Sequence, residues 1–146
     1  MSMQLDHYVF PEISISARKS FDVEKEFNFD CIKLNVNPQV NVNNSEDFLL
    51  QLDVCSEASE EVNFPYDFHL TGVIKFSYHG VEDEAERHKR AFHNGASMLY
   101  AAIREQLVIL TSRNVYSPLF LPAWYFKPGD FVHSTGSEEV KDKSAD

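Results

Sequence analysis

Residues 94–126 set the tightest limit on what this chain can become. Apolar side chains recur at three- to four-residue spacing through Ala96, Leu99, Ile103, Leu107 and Leu110, which predicts a helix over 96–112. Met98, Ala101, Ala102, Val108 and Ile109 widen the stripe, leaving Ser97, Arg104, Glu105 and Ser112 as its polar minority. One sheet face cannot cover a stripe so broad, so a second surface must do so, either another subunit or the aromatic segment that follows. That segment, 115–126, contains Pro118 and Pro122, which exclude helix and force extended chain. It carries Tyr116, Phe120, Trp124, Tyr125 and Phe126, and an extended backbone presents alternate side chains to opposite faces.

The preceding half alternates as a sheet does. Ile32, Leu34, Val36, Pro38, Val40 and Val42 share one face while Lys33, Asn35, Asn37, Gln39 and Asn41 take the other. The pattern resumes at Phe48, Leu50, Leu52 and Val54 after a turn at Asn43, Asn44 and Ser45, and again at Phe64, Tyr66, Phe68, Leu70, Ile74, Phe76 and Tyr78. Three such strands make a meander, with Gly72 expected to mark a bend or bulge. An earlier strand over 8–17 changes phase across Phe10, Pro11 and Glu12, which places it at an edge or on a bulge. The expectation is an α+β fold, a four-stranded antiparallel sheet packed with one long helix in the C-terminal half. Residues 1–133 form a single domain, and 134–146, polar and without aromatics, a disordered acidic tail.

Within 94–126 the chain resembles the SecB family of bacterial protein-export chaperones. Leu99, Tyr100, Arg104 and Glu105 stand where that family's helix reads Leu-Phe-Pro-x-x-Arg-Glu, and Arg113, Tyr116, Leu119, Leu121 and Phe126 follow its turn and extended segment. Ala101 replaces the helix proline, Asn114 replaces the turn glycine, and Pro118 and Pro122 are each displaced by one position. Asparagine tolerates the left-handed conformation that such a turn requires. Weaker likeness extends back through 76–82 and covers roughly residues 8–126. The resemblance implies a four-stranded sheet with helices on one face and a homotetramer, a dimer of dimers with the helices between sheets. The family's second helix after the phenylalanine has no counterpart here, because Lys127, Pro128, Gly129 and Asp130 read as a turn and 131–133 is too short.

Composition narrows the classes of function. A formal net charge of −10 argues against a nucleic-acid partner, since the basic run His88-Lys89-Arg90 is interleaved with Glu82, Asp83, Glu84 and Glu86 as a mixed-charge solvated segment. No apolar run approaches the roughly 20 residues that span a bilayer. The first residues lack a basic and then apolar leader pattern, so the expected location is the cytoplasm. Cys31 and Cys55 read as reduced, packed thiols. The six histidines lack zinc spacing, and His69 on a polar strand phase reads as solvated. No phosphate loop or nucleophile elbow is present, so neither enzyme chemistry nor a cofactor is expected.

The resemblance therefore implies an ATP-independent holdase for unfolded or precursor polypeptides. Phe120, Trp124 and Phe126, with Tyr116 and with Tyr100 from the helix, are the candidate polypeptide-binding residues; the alternative makes them core. In the family, release involves the translocase motor SecA on an acidic sheet surface. The matching positions here are Glu12, Ser16, Asp67 and His69, of which Glu12 and Asp67 are carboxylates. A SecB-like antitoxin chaperone devoted to one client fits as well, and a carrier of small apolar ligands is the alternative from another class.

Overall fold

The computed structural model describes residues 2–131. Four strands, β1 (Ser2–Ala17), β2 (Ile32–Asn41), β3 (Asn44–Ser56) and β4 (Tyr66–His79), form one antiparallel sheet in the order β1-β4-β3-β2, followed by a single helix, α1 (Glu84–Thr111). The anticipated tail, 134–146, lies outside the described residues. No helix among them is long and apolar enough to cross a membrane.

Period-two alternation decides which face is buried. Leu50, Leu52 and Val54 of β3 and Leu70, Ile74, Phe76 and Tyr78 of β4 point toward α1, which meets them with Phe92, Ala96, Leu99, Ile103 and Leu107. β1 closes the far side against β4, and the phase change is a register shift between Val9 and Glu12, with a second between Leu5 and His7. The shifts let Tyr8, opposite Ile74, and Ile13, opposite Leu70, share the helix side despite their opposite parity.

Three expectations need correction. Gly72 pairs with Leu52 in an unbroken β3–β4 ladder, and on its other side it stands opposite the register shift between Val9 and Glu12, so the bulge expected at this level lies on β1 and not at the glycine. A Cβ there would lie 2.8 Å from Leu99 Cδ1, and one on Gly95 would lie 2.7 Å from the Phe76 ring; both glycines are where helix and sheet approach most closely. Val42 belongs to the tight β2–β3 turn, where Asn41 Oδ1 accepts from the Asn43 amide at 2.8 Å. Finally, α1 begins at Glu84, three turns before the expected start. The charged residues that hid those turns are the reason they form. Asp83 caps the helix by accepting from the Glu86 amide at 3.0 Å, and Glu86 pairs with Arg90 at 2.9 Å one turn on. Arg87 is buried, donating to Val81 O at 2.8 Å and Ser45 Oγ at 2.6 Å, which ties the helix start to the tip of the β2–β3 hairpin.

The connection between β1 and β2, about which the sequence pattern is silent, is held by two polar side chains. Arg18 is buried and donates to Ser59 O at 2.7 Å and Val62 O at 3.1 Å. Asn63 accepts from the Asp22 amide at 2.8 Å and donates toward the Asp22, Lys25 and Glu26 carbonyls. Edge-to-face contacts of Phe27 with Phe21 and Phe64, each with centroids 5.6 Å apart, fill the space between.

Gly72→Ala is expected to lower the unfolding free energy by about 1–3 kcal/mol in urea titrations through overpacking against Leu99. Adding Leu99→Val should give a loss smaller than the sum of the two single losses; strict additivity would show that the close approach is not the cause.

Candidate functional site

After α1 the chain doubles back along the helix as an extended strap, 116–126, that belongs to no sheet. Its backbone polar groups must find partners elsewhere, and side chains from the helix and from β4 supply them. Thr111, fully buried, donates to Leu107 O at 2.7 Å and accepts from the Leu119 amide at 2.9 Å. Tyr66 Oη donates to Ser117 O at 2.8 Å and accepts from the Tyr116 amide at 3.2 Å. Arg104 Nε donates to Leu121 O at 3.0 Å, and Tyr100 Oη to Pro122 O at 2.6 Å. Burial pushes the Tyr66 and Tyr100 phenols up from their ordinary pKa, so both remain donors across the physiological range. The left-handed residue of the junction is Ser117 (φ 72°), not Asn114, whose side chain instead accepts from the Val115 amide at 2.7 Å.

Held this way, the strap alternates over 119–121 and is then exposed throughout 122–125. Leu119, Leu121 and Phe126 are buried, whereas Phe120 is 66%, Trp124 43% and Tyr125 84% exposed. The candidate binding residues therefore divide. Phe120 and Trp124 stand in solvent. Tyr116 is half-buried, its ring 4.8 Å from Phe21 and its hydroxyl donating to Arg18 O at 2.9 Å. Tyr100 and Phe126, expected to line the groove, are 4% and 6% exposed and pack edge-to-face at 6.2 Å. Their removal from the surface has a physical cause: the Tyr100 hydroxyl is used to hold Pro122, which draws its ring under the strap. Phe131, which looked too isolated to help, is also buried, stacked on Phe92 at 5.9 Å and 5.8 Å from Phe126.

Shallow apolar depressions flank α1 on both sides. One of about 240 Å³ lies between Ala101, Val108, Phe120 and Leu121 with Arg104 and Glu105 at its side; another of the same size lies between Met98, Ala102 and Tyr8 of β1, again beside Glu105. On that second side Leu5, Tyr8 and Ile13 of β1 and Met98 and Ile109 of the helix remain substantially exposed. The breadth of the apolar stripe is thus only partly absorbed within the chain. A larger, open cavity of about 480 Å³ lies where the strap ends, floored by Tyr78, Phe126 and Pro128 and rimmed by Lys89, Arg90, His93 and Asn94. Sequence reasoning missed this rim because it started the helix too late, at 96 instead of Glu84. Extending α1 back to Glu84 sets His93 one turn from Lys89 and from Arg90, so the three can line one opening.

On the opposite face of the sheet, the carboxylates expected to meet a motor are engaged within the chain. Glu12 Oε1 lies 3.2 Å from His69 Nδ1, and Asp67 lies 3.4 Å from Arg18 Nε. His69 is not merely solvated, since its other nitrogen lies 3.5 Å from Asp53 Oδ1. Asp53 also accepts from Thr71 Oγ1 at 2.5 Å and Gln51 Nε2 at 3.4 Å. Burial pushes the Asp53 carboxyl up, but the hydrogen bonds from Thr71, Gln51 and His69 outweigh it and hold the group below the usual carboxylate range. Ser16 faces Asp67 across the β1–β4 ladder. Both cysteines are free, and burial raises their pKa, which keeps them as thiols.

No family model matches this sequence, and no curated protein matches it. Among solved structures, Rv1957 of Mycobacterium tuberculosis, a SecB-like chaperone in complex with a ChAD peptide from the Rv1956 HigA1 antitoxin, matches with a TM-score of 0.60 and 18% identity, over 86% of this chain and 92% of that one. The fold is SecB-like. A Streptococcus agalactiae protein of unknown function matches at a TM-score of 0.48 and 13% identity, over 84% of this chain and 98% of that one. At 18% identity the likeness to Rv1957 is one of fold, and the side chains of this chain must be read on their own terms.

Thr111→Val keeps the shape but leaves the buried Leu119 amide without its acceptor, and is expected to cost about 1–3 kcal/mol and to accelerate hydrogen exchange at Leu119. For Asp53, whose folded pKa is depressed, the stabilisation is present above the unfolded value and lost as pH falls through the folded one. Asp53→Asn should therefore cost about 1–2 kcal/mol at neutral pH, with the gap to the native chain closing only below about pH 4. A gap that closes instead between pH 6 and 8 would assign the effect to a histidine.

Proposed function

We propose that this chain is an ATP-independent holdase that captures apolar segments of non-native polypeptide on the strap. The observation that carries the reading is the outward display of Phe120, Trp124 and Tyr125 from a strap that Thr111, Arg104 and Tyr100 tie to the helix at Leu119, Leu121 and Pro122. Large aromatics held in water on a fixed support supply binding area at little further entropic cost. The apolar depression beside Phe120 receives a client side chain, at about 25 cal/mol per Å² of apolar surface buried. Multivalency then compensates for weak individual contacts. Tyr100, Tyr116 and Phe126 act from beneath by holding the strap in place. The SecB-like fold supports the chaperone class, and precursor proteins awaiting export in the cytoplasm are one client population consistent with it.

The uncovered apolar side formed by Leu5, Tyr8, Ile13, Met98 and Ile109 is assigned to a second copy of the chain, and two such pairs make a homotetramer. Between general export and a single dedicated client, one observation favours the second. The carboxylates available for a SecA-like motor, Glu12 and Asp67, are already paired with His69 and Arg18, so docking there would have to displace internal partners. The Rv1957 neighbour was solved with an antitoxin peptide, and a comparable dedicated client is the reading we favour here.

Light scattering on the eluted protein, alone and after addition of a chemically unfolded polypeptide, tests the assignment: a tetramer that co-elutes with the unfolded chain without nucleotide is expected. Phe120→Ala with Trp124→Ala should weaken capture at least fivefold while leaving the mass and the unfolding midpoint unchanged. Undiminished capture by this variant would move the client surface off the strap. A monomer or dimer that ignores unfolded chains would favour a carrier of small apolar ligands.

A further inference from the structure

The cavity at the end of the strap has a chemistry that a general surface for unfolded chains does not need. Its floor is apolar and aromatic, made by Tyr78, Phe126 and Pro128, while Lys89, Arg90 and His93 stand along its rim. This is the one basic run of a chain whose formal net charge is −10. His93 lies one turn from both Lys89 and Arg90 on α1, and all three line the opening. Glu86, outside the lining, pairs with Arg90 at 2.9 Å and offsets part of that charge, but Lys89 makes no ion pair among the described residues. Asn94 Nδ2 donates to Tyr78 Oη at 3.3 Å, which fixes two neutral polar groups between rim and floor.

Position joins this cavity to the client surface. Phe126 forms part of its floor, and the exposed Trp124 and Tyr125 immediately precede Phe126 in the strap. A polypeptide lying on the strap aromatics therefore runs into the basic rim within a few residues. Elsewhere the chain's acidic balance attracts basic segments, so the rim acts in the opposite sense and selects.

We propose that this cavity is a selectivity site for client segments in which an aromatic or large aliphatic side chain lies beside carboxylates, the ring seating on Phe126 and Pro128 and the carboxylates meeting Lys89 and Arg90. The proposal rests on the holdase reading and names the client chemistry it prefers. Charge complementarity at the rim of a partly desolvated site gives discrimination chiefly by rejecting the wrong sign.

The test uses the full-length chain and two fluorescein-labelled peptides of equal length, one built on Asp-Phe-Asp repeats and the other on Lys-Phe-Lys repeats, read by fluorescence anisotropy. The acidic peptide is expected to bind at least tenfold tighter at low ionic strength. In the Lys89→Gln, Arg90→Gln double variant that advantage should fall below twofold, with the unfolding midpoint and capture of a chemically unfolded polypeptide unchanged. Equal binding of the two peptides, tighter binding of the lysine peptide, or an advantage that survives the double substitution overturns the proposal. So does acidic-peptide binding that emerges only when Glu138→Gln, Glu139→Gln and Asp142→Asn are introduced, because the chain's own C-terminal residues would then be the occupant. Capture of unfolded polypeptide without charge preference defeats this inference and leaves the holdase standing. Failure to capture unfolded polypeptide at all defeats the holdase itself.

Discussion

Everything outside the sheet depends on how an extended segment without a strand partner satisfies its backbone. The strap cannot coil, because Pro118 and Pro122 forbid it, and it pairs with no strand, so its amides and carbonyls rely on Thr111, Tyr66, Arg104 and Tyr100. Each contact is modest alone, on the order of 1 kcal/mol net, yet each loss would strand a partly buried polar group. Those contacts also decide the alternation of the strap. With Leu119 and Leu121 turned inward, Phe120 has nowhere to go but outward. The exposure of Phe120 is thus a geometric result of satisfying the backbone on either side of it.

The same economy explains why the helix lies so close to the sheet. Gly72 and Gly95 remove the two side chains that would hold the layers apart, and Leu99 and the Phe76 ring occupy the vacated space. The helix consequently sits over β3 and β4, and the inner face of β1 is left with Leu5, Tyr8 and Ile13 only partly covered. Breadth of apolar surface on α1 and incomplete cover on β1 are two views of one packing decision.

Much of this was legible in the pattern of residues. The alternation over 32–54 and 66–78 placed β2, β3 and β4 with their buried faces correct, and the parity change around Pro11 located a real shift in register. Illegible parts were those where tertiary partners override local pattern. Charged residues over 84–93 hid three helical turns because the burial of Arg87 depends on Ser45 and Val81, distant in sequence or outside the helix. Tyr100 and Phe120 look equally suited to a groove, and only the hydrogen bond to Pro122 sends the first inward. The buried role of Arg18 left no periodic trace at all, since its acceptors are carbonyls of a loop more than forty residues away.

The interruptions in β1 carry a consequence for the holdase proposed above. Its outer edge offers unpaired backbone groups to any extended polypeptide, and continuous strand addition there would be hard to reverse. Two offsets in register and a proline without an amide break that edge into shorter lengths, the longest of them over 12–17. A chain that approaches this edge gains few backbone hydrogen bonds before it falls out of step. On the proposed reading, grip is left to side chains on the strap, where contacts form and dissolve one residue at a time, so a captured chain could leave unfolded instead of becoming a fifth strand.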